Sequence, residues 1–299
     1  MLILEEQKGW RWYKLELLQA LRAWSNPTLD LLWQSVTMLG EYLVLAGICF
    51  LVYWCIDKKS GRYLILCLGL SICINGILKD LVQAPRPFWQ AGAPEALRLE
   101  TATGYSFPSG HSQAAATLYT ALAVQTRRSA VKAALAALIL AVGFSRLYLG
   151  VHYLEDVAVG ILLGAGTSLL VGVLLQRKML RQAMTFCAMA AALTLLVAQS
   201  DDSYAAAGLS AGLLGGFWLE RRVVFQKPKG AVQGAARLVG GFLLLGGFYL
   251  AVSLVWTKTP IVSFLKNAGV AFLATGGYPW LFQKWEKGDN NRKNKEVSP

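Results

Sequence analysis

Apolar runs close to the length that crosses a bilayer as a helix, roughly 17–25 residues, recur along the whole of this 299-residue chain. A chain built of such runs has few folds open to it, because backbone polar groups at membrane depth must be satisfied within their own helix. The runs lie at 28–55 (with Glu41 inside), 61–82, 110–126, 131–150, 153–176, 235–256 and 261–282, with two more in 182–219. That last stretch is interrupted by Ser200-Asp201-Asp202-Ser203 and has basic residues on both flanks. An even number of crossings is therefore favoured, with a re-entrant segment as the alternative. The expectation is an all-α polytopic transmembrane bundle of about nine spans.

Hydrophobic residues at 55% and charged residues at 15% agree with an integral membrane protein. No stretch has the features of a removable signal peptide, so the first span is expected to direct insertion. Ahead of it, Trp10, Trp12, Tyr13, Leu15, Leu18, Leu21 and Trp24 interleave with Lys14, Glu16 and Arg22 up to the break at Asn26-Pro27. That spacing predicts an amphipathic helix in the membrane interface. The predicted organisation is an interfacial helix at 1–27, a five-span core at 28–181, about four further spans at 182–282, and a polar, disordered tail at 283–299.

The net charge of +12 does not point to nucleic acid, since the basic residues fall in short clusters between apolar runs and not on one soluble face. They instead report sidedness. Lys58, Lys59 and Arg62; Arg127, Arg128 and Lys132; Arg177, Lys178 and Arg181; Arg221, Arg222, Lys227 and Lys229; and the basic tail occupy alternate connections. By the positive-inside rule that side is cytoplasmic, so 83–108, 145–156 and the Asp201-Asp202 turn face outward. A bacterial plasma membrane, or an endoplasmic reticulum with the site in the lumen, satisfies this rule. The five cysteines lie in or beside apolar runs without metal-ligand spacing and read as packing residues.

Three outward segments carry groups suited to a phosphate. They are Lys79 with Arg86-Pro87; Pro108-Ser109-Gly110-His111; and Ser145-Arg146 followed by His152 and Asp156. A tetrahedral anion needs donors from several directions, and Lys79, Arg86 and Arg146 supply charged ones. Ser109 suits a helix N-cap, Gly110 lets the backbone approach closely, and a helix start favours an anion. His152 and Asp156 are four residues apart, on one face of a helix starting near His152. Asp156 can thus orient the ring for attack on phosphorus, while His111 protonates the leaving oxygen and later activates water. Glu155, one residue closer, is the lesser candidate for the orienting acid. Lys79, Arg86, Ser109, Gly110 and Arg146 would hold the equatorial oxygens. The scheme requires no metal and no cofactor.

Together these residues resemble the three-part signature of the type 2 phosphatidic acid phosphatase superfamily, in order and with its internal spacings, over roughly 28–176. The resemblance implies a membrane phosphatase with the same role for each residue. Nine spans and an outward amino terminus are more like the glucose-6-phosphatase arrangement, as is, loosely, Arg86-Pro87-Phe88-Trp89 with Glu100. The expected substrate is a lipid phosphate or an isoprenyl pyrophosphate such as undecaprenyl pyrophosphate, with membrane lipids as partners; a sugar phosphate is the alternative. The last four spans could flip lipid in concert with the phosphatase, or serve as scaffold or homodimer contact. Arg98 and Glu100 read as solvated loop charges, with substrate contact as the alternative. Glu41 and Lys266, inside spans, read as a buried hydrogen-bonding group and a snorkelling lysine, or as lining of a substrate entrance. The glycines of 208–216 and 240–247 read as close helix packing.

Overall fold

A computed structural model describes residues 8–223, 227–256 and 259–285, with side chains from residue 15 onward. The described residues contain helices and connecting turns, and no strand. In chain order the helices are α1 (Lys8–Arg22), α2 (Pro27–Met38), α3 (Tyr42–Leu51), α4 (Lys58–Val82), α5 (Gly110–Gln125), α6 (Ser129–Tyr148), α7 (Leu154–Gln176), α8 (Leu180–Val197), α9 (Asp201–Glu220), α10 (Ala231–Val255) and α11 (Pro260–Phe272). Two π-helical turns, Val52–Ile56 and Leu273–Gly277, follow α3 and α11. The disorder expected of the tail falls mainly on 286–299, outside the described residues.

The span count differs from the sequence expectation. Five helices are long and apolar enough to cross a membrane, or six if the pair Pro27–Met38 and Tyr42–Ile56, bent by 47°, is one span. Every predicted span is helical, but α5 has 16 residues and α11 has 13, while α9 opens on Asp201-Asp202 and ends on Glu220. Ten of the 16 residues of α5 and half of the 20 of α9 are buried, so much of their surface faces protein and not lipid.

Two compact units divide the chain: one takes in residues up to Ala46 and Ile74–Lys178, the other Gly47–Cys73 and residues from Met179. In the first, α5 starts at the N-cap Ser109 and packs on α7, where a Cβ at Gly160 would lie 2.8 Å from the Ser109 carbonyl oxygen. Glycine there lets the two backbones approach closely. The Ser168 hydroxyl donates to the Thr117 carbonyl at 2.6 Å further along the same pair. Just past the end of α6, Gly150, with a φ of +72°, turns the chain towards His152. Between α2 and α3, the Leu39 carbonyl accepts from the Tyr119 hydroxyl at 2.7 Å. Helix α1 forms where an interfacial helix is expected, and Leu15 and Leu18 of its apolar side are buried against Leu147, Tyr153 and Val157.

In the second unit, α8 and α9 form a helical hairpin around Ser200, which caps α9; of the two, α8 is long and apolar enough to cross a membrane. Gly208, Gly212 and Gly216 face the α11 backbone so closely that a Cβ at any of them would clash; those glycines do serve packing. The two π turns meet, with Tyr53 Oη donating to the Thr275 carbonyl and Trp54 Nε1 to the Ala274 carbonyl, each at 2.9 Å. Glu220, fully buried, pairs with Lys58 and with Arg62 at 2.5 Å. Gly246 and Gly247, by contrast, meet nothing within 4 Å, so close packing explains only part of 240–247. Cys49, Cys67, Cys73 and Cys187 are buried thiols, as their apolar settings suggest. Lys266 Nζ lies 3.2 Å from Ser253 Oγ and 4.1 Å from the centre of the Tyr249 ring.

Candidate active site

The eight residues singled out in the sequence all belong to the first unit, where they occupy helix ends and the turns beside them. Lys79 lies in the last turn of α4; Ser109, Gly110 and His111 open α5; Arg146 ends α6; His152 and Asp156 flank the start of α7. Arg86 comes from the 83–108 connection, just before a short 3-10 turn at Pro87–Trp89.

His152 is the centre of this group. Its Nδ1 lies 3.3 Å from Asp156 Oδ2, and its Nε2 lies 3.2 Å from an Arg86 terminal nitrogen. A guanidinium can only donate, so Nε2 is the acceptor and the ring proton belongs on Nδ1, facing the carboxylate. Burial holds the imidazole well below the usual histidine range, and the charges of Arg86, Arg146 and Lys79 push the same way. The ring is therefore neutral near pH 7, with its Nε2 lone pair directed away from Asp156.

Asp156 owes its position to the start of α7. Its Oδ2 accepts from the Tyr153 backbone N–H at 2.9 Å, the reach-back bond of a capped helix start. Its carbonyl accepts from the Ser109 N–H at 3.0 Å, tying the start of α7 to that of α5. Glu155 sits on a different face and is half-buried, so Asp156 is the carboxylate beside the ring.

Two of the three cations, Arg86 and Lys79, are held by backbone carbonyls. Arg86 donates from Nε to Gly104 at 2.9 Å and from its terminal nitrogens to Thr103 at 2.5 Å and Val151 at 3.1 Å. Lys79 Nζ donates to the Tyr105 carbonyl. Arg146, fully buried, donates to Thr37 Oγ1 at 2.8 Å, while its Nε and second terminal nitrogen have no partner among the described residues. The same is true of Nε2 of the buried His111. A buried polar group left unpaired costs about 1–3 kcal/mol, a cost that oxygens of a bound anion would remove.

Several contributors escaped the sequence reading. Ser106, fully buried, donates to Asp156 Oδ2 at 2.5 Å; Thr37 holds Arg146 from 109 positions away; Asn75 donates to the Pro108 carbonyl at 3.3 Å and to Gln113 Oε1 at 2.9 Å. None stands at a helical spacing from the residue it serves. Gly104, at a φ of +58°, was the one local signal of a built turn before the Pro108–His111 segment. Arg98 and Glu41, read separately in the sequence, form an ion pair at 2.5 Å beside the α2–α3 bend. Glu41 is thus a partly buried hydrogen-bonding group.

Residues 60–180 match the family model described as PAP2 superfamily, and residues 204–290 match its companion, PAP2 superfamily phosphatase, transmembrane extension. The chain belongs to the PAP2 superfamily. Among its relatives in this superfamily is phosphatidylglycerophosphatase B of Bacillus subtilis (strain 168), 28% identical over 152 residues, which are 46% of this chain and 71% of that protein. Sphingosine-1-phosphate phosphatase 2 of Homo sapiens is 30% identical over 142 residues, 45% of this chain and 35% of the human protein. The chain thus spans about a third of that human relative's length. Similar solved structures are Aquifex aeolicus LpxE, with TM-score 0.48, 28% identity and coverage of 53% of this chain and 94% of that one, and the first transmembrane PAP2-type phosphatidylglycerolphosphate phosphatase of Bacillus subtilis, with TM-score 0.47, 25% identity and coverage of 55% and 84%.

Proposed function

We propose that this PAP2 protein is a metal-independent phosphatase of a multi-pass membrane, acting on a lipid phosphate or isoprenyl pyrophosphate at the extracytoplasmic face. The observation that carries the reading is the His152 ring, held at one nitrogen by Asp156 and offered at the other to Arg86. Nε2 attacks phosphorus in line; the bond to the leaving oxygen breaks, and that oxygen keeps the electron pair and takes a proton from His111, which burial and the nearby cations hold neutral before substrate binds and which takes up its proton with the phosphoryl dianion. Water then gives a proton to His111 and attacks the phosphohistidine, and the P–N electron pair returns to Nε2. Lys79, Arg86, Arg146 and the α5 start at Ser109-Gly110 stabilise charge on the equatorial oxygens.

Lipid is favoured over a sugar phosphate by what surrounds the signature residues. Leu81 and Val82 follow Lys79, Trp89 follows Arg86 and Leu154 follows His152, each within three positions and each at least half exposed. Large apolar side chains beside a charged cluster suit the boundary between headgroups and acyl chains. The distribution of Lys and Arg supports the outward face.

The test is phosphate release from lipid phosphates, isoprenyl pyrophosphate and sugar phosphates with a chelator present. Activity with chelator, preference for lipid, and near-complete loss in His152→Ala are expected. A fully active His152→Ala protein, or strict dependence on added divalent metal, would refute the mechanism; preference for the sugar phosphate would overturn the substrate assignment.

A further inference from the structure

Four consecutive residues, none in the three signature segments, each hold a signature side chain. The carbonyls of Thr103 and Gly104 accept from Arg86, that of Tyr105 accepts from Lys79, and Ser106 Oγ donates to Asp156. A carbonyl can come from any residue type, so the first three contacts constrain the backbone path and not the sequence. Ser106 differs because its side chain makes the contact. Its own N–H donates to the Ala84 carbonyl at 2.8 Å, two residues before Arg86, so the hydroxyl is fixed to the same piece of chain that carries the guanidinium.

Three donors converge on one oxygen, Asp156 Oδ2: the Tyr153 N–H at 2.9 Å, His152 Nδ1 at 3.3 Å and Ser106 Oγ at 2.5 Å. The hydroxyl makes the shortest of the three contacts and also lies 3.4 Å from His152 Nδ1. A carboxylate bound by a backbone amide alone can still turn about its terminal torsion, which is broad. A second donor from another segment removes that freedom. We infer that Ser106 is a positioning residue for the phosphatase reaction: it locks the Asp156 carboxylate so that His152 keeps its proton on Nδ1 and its lone pair on Nε2. This inference rests on His152 being the nucleophile. Ser106 lies on the Nδ1 side of the ring, away from Nε2, and its hydroxyl proton goes to Asp156, so it acts chiefly through that carboxylate.

A serine that merely filled a buried polar space would alter stability without a selective effect on chemistry. The discriminating experiment is a double-mutant cycle on the full chain in detergent, following steady-state release and the single-turnover rate of phosphoenzyme formation. Ser106→Ala is expected to lower kcat and the phosphorylation rate about tenfold, the low end for groups that orient a functional imidazole from behind, with KM changed less than about twofold. In an Asp156→Ala background the same substitution is expected to change the rate less than about twofold, because its route of action is gone. Ser106→Cys, close to isosteric but a weak donor, should show the same selective loss and carries the test if the alanine variant does not fold. A kcat within about twofold of wild type, or full multiplicative losses in the double variant, would overturn the inference while His152→Ala remains inactive. An active His152→Ala protein would instead remove the nucleophile assignment first, so the two failures are separable.

Discussion

The protonation state of one ring governs what His152 can do. Its depressed pKa means the ring, the nucleophile of the proposed mechanism, stays neutral as pH falls through the ordinary histidine range near 6.5. Protonation would occupy Nε2 and stop attack, and a lowered pKa moves that loss to more acidic pH. The acid limb of phosphoenzyme formation, read as kcat/KM for the free protein, is therefore expected below pH 6.5; a limb centred above it would show that burial and the nearby cations do not control the ring. At this scale the sequence was legible wherever a contact runs along one helix or turn, as from His152 to Asp156. It was silent where a contact closes a long excursion of chain, as for Thr37 to Arg146 or Ser106 to Asp156, because no spacing rule links such residues before the fold does.

Helix starts, more than helix bodies, hold the site, and the packing of α7 on α5 fixes two of them together. Gly160 faces the carbonyl of the α5 N-cap Ser109, and a Cβ there needs the backbones to part. Gly160→Ala is expected to cost about 1–3 kcal/mol, as overpacking does, and to lower kcat, because the displaced N-cap carries Gly110 and His111 with it. Gly166 in the same helix meets nothing within 4 Å, so Gly166→Ala should leave both thermal melting in detergent and kcat near wild type. Equal effects of the two substitutions would mean that the approach of α5 to α7 is not critical. Helix positions were well read from sequence: runs predicted at 110–126 and 153–176 correspond to α5 and α7. The count of about nine crossings is not confirmed: five helices, or six with the bent pair, are long and apolar enough to cross, and α5 and α9 are largely wrapped in protein. The interfacial character expected of α1 was also only half of its role, since Leu15 and Leu18 brace Leu147, Tyr153 and Val157, each the next residue after Arg146, His152 or Asp156.

Across the whole molecule, the phosphatase residues are confined to one compact unit, while the other has its own buried polar core. Glu220 is the clearest member of that core, with Lys58 and Arg62 as partners. Removing one partner of a buried pair costs about 3–5 kcal/mol, and here the lower end applies because both cations keep some contact with solvent. Glu220→Ala should accordingly lower the melting temperature. The comparison with Glu220→Gln, which keeps the shape and some hydrogen bonding, measures how much of the effect is charge; a melting curve unchanged in both would mean the triad contributes nothing to stability.

Helix α4 belongs to both units, its first sixteen residues to one and Ile74 onward to the other. Consider a ribosome making this chain. By the time Lys178 has left it, every residue of the phosphatase unit exists and that unit can close. Gly47–Cys73, made long before, lacks the partners that lie beyond Met179, such as Cys187, Ala206 and Ser210. Leu66, Cys67 and Cys73, buried in the finished protein, must spend that interval against lipid or an insertion factor. A stalled or truncated chain would therefore carry an assembled site beside a helix with one bare flank, the kind of surface that membrane quality control recognises.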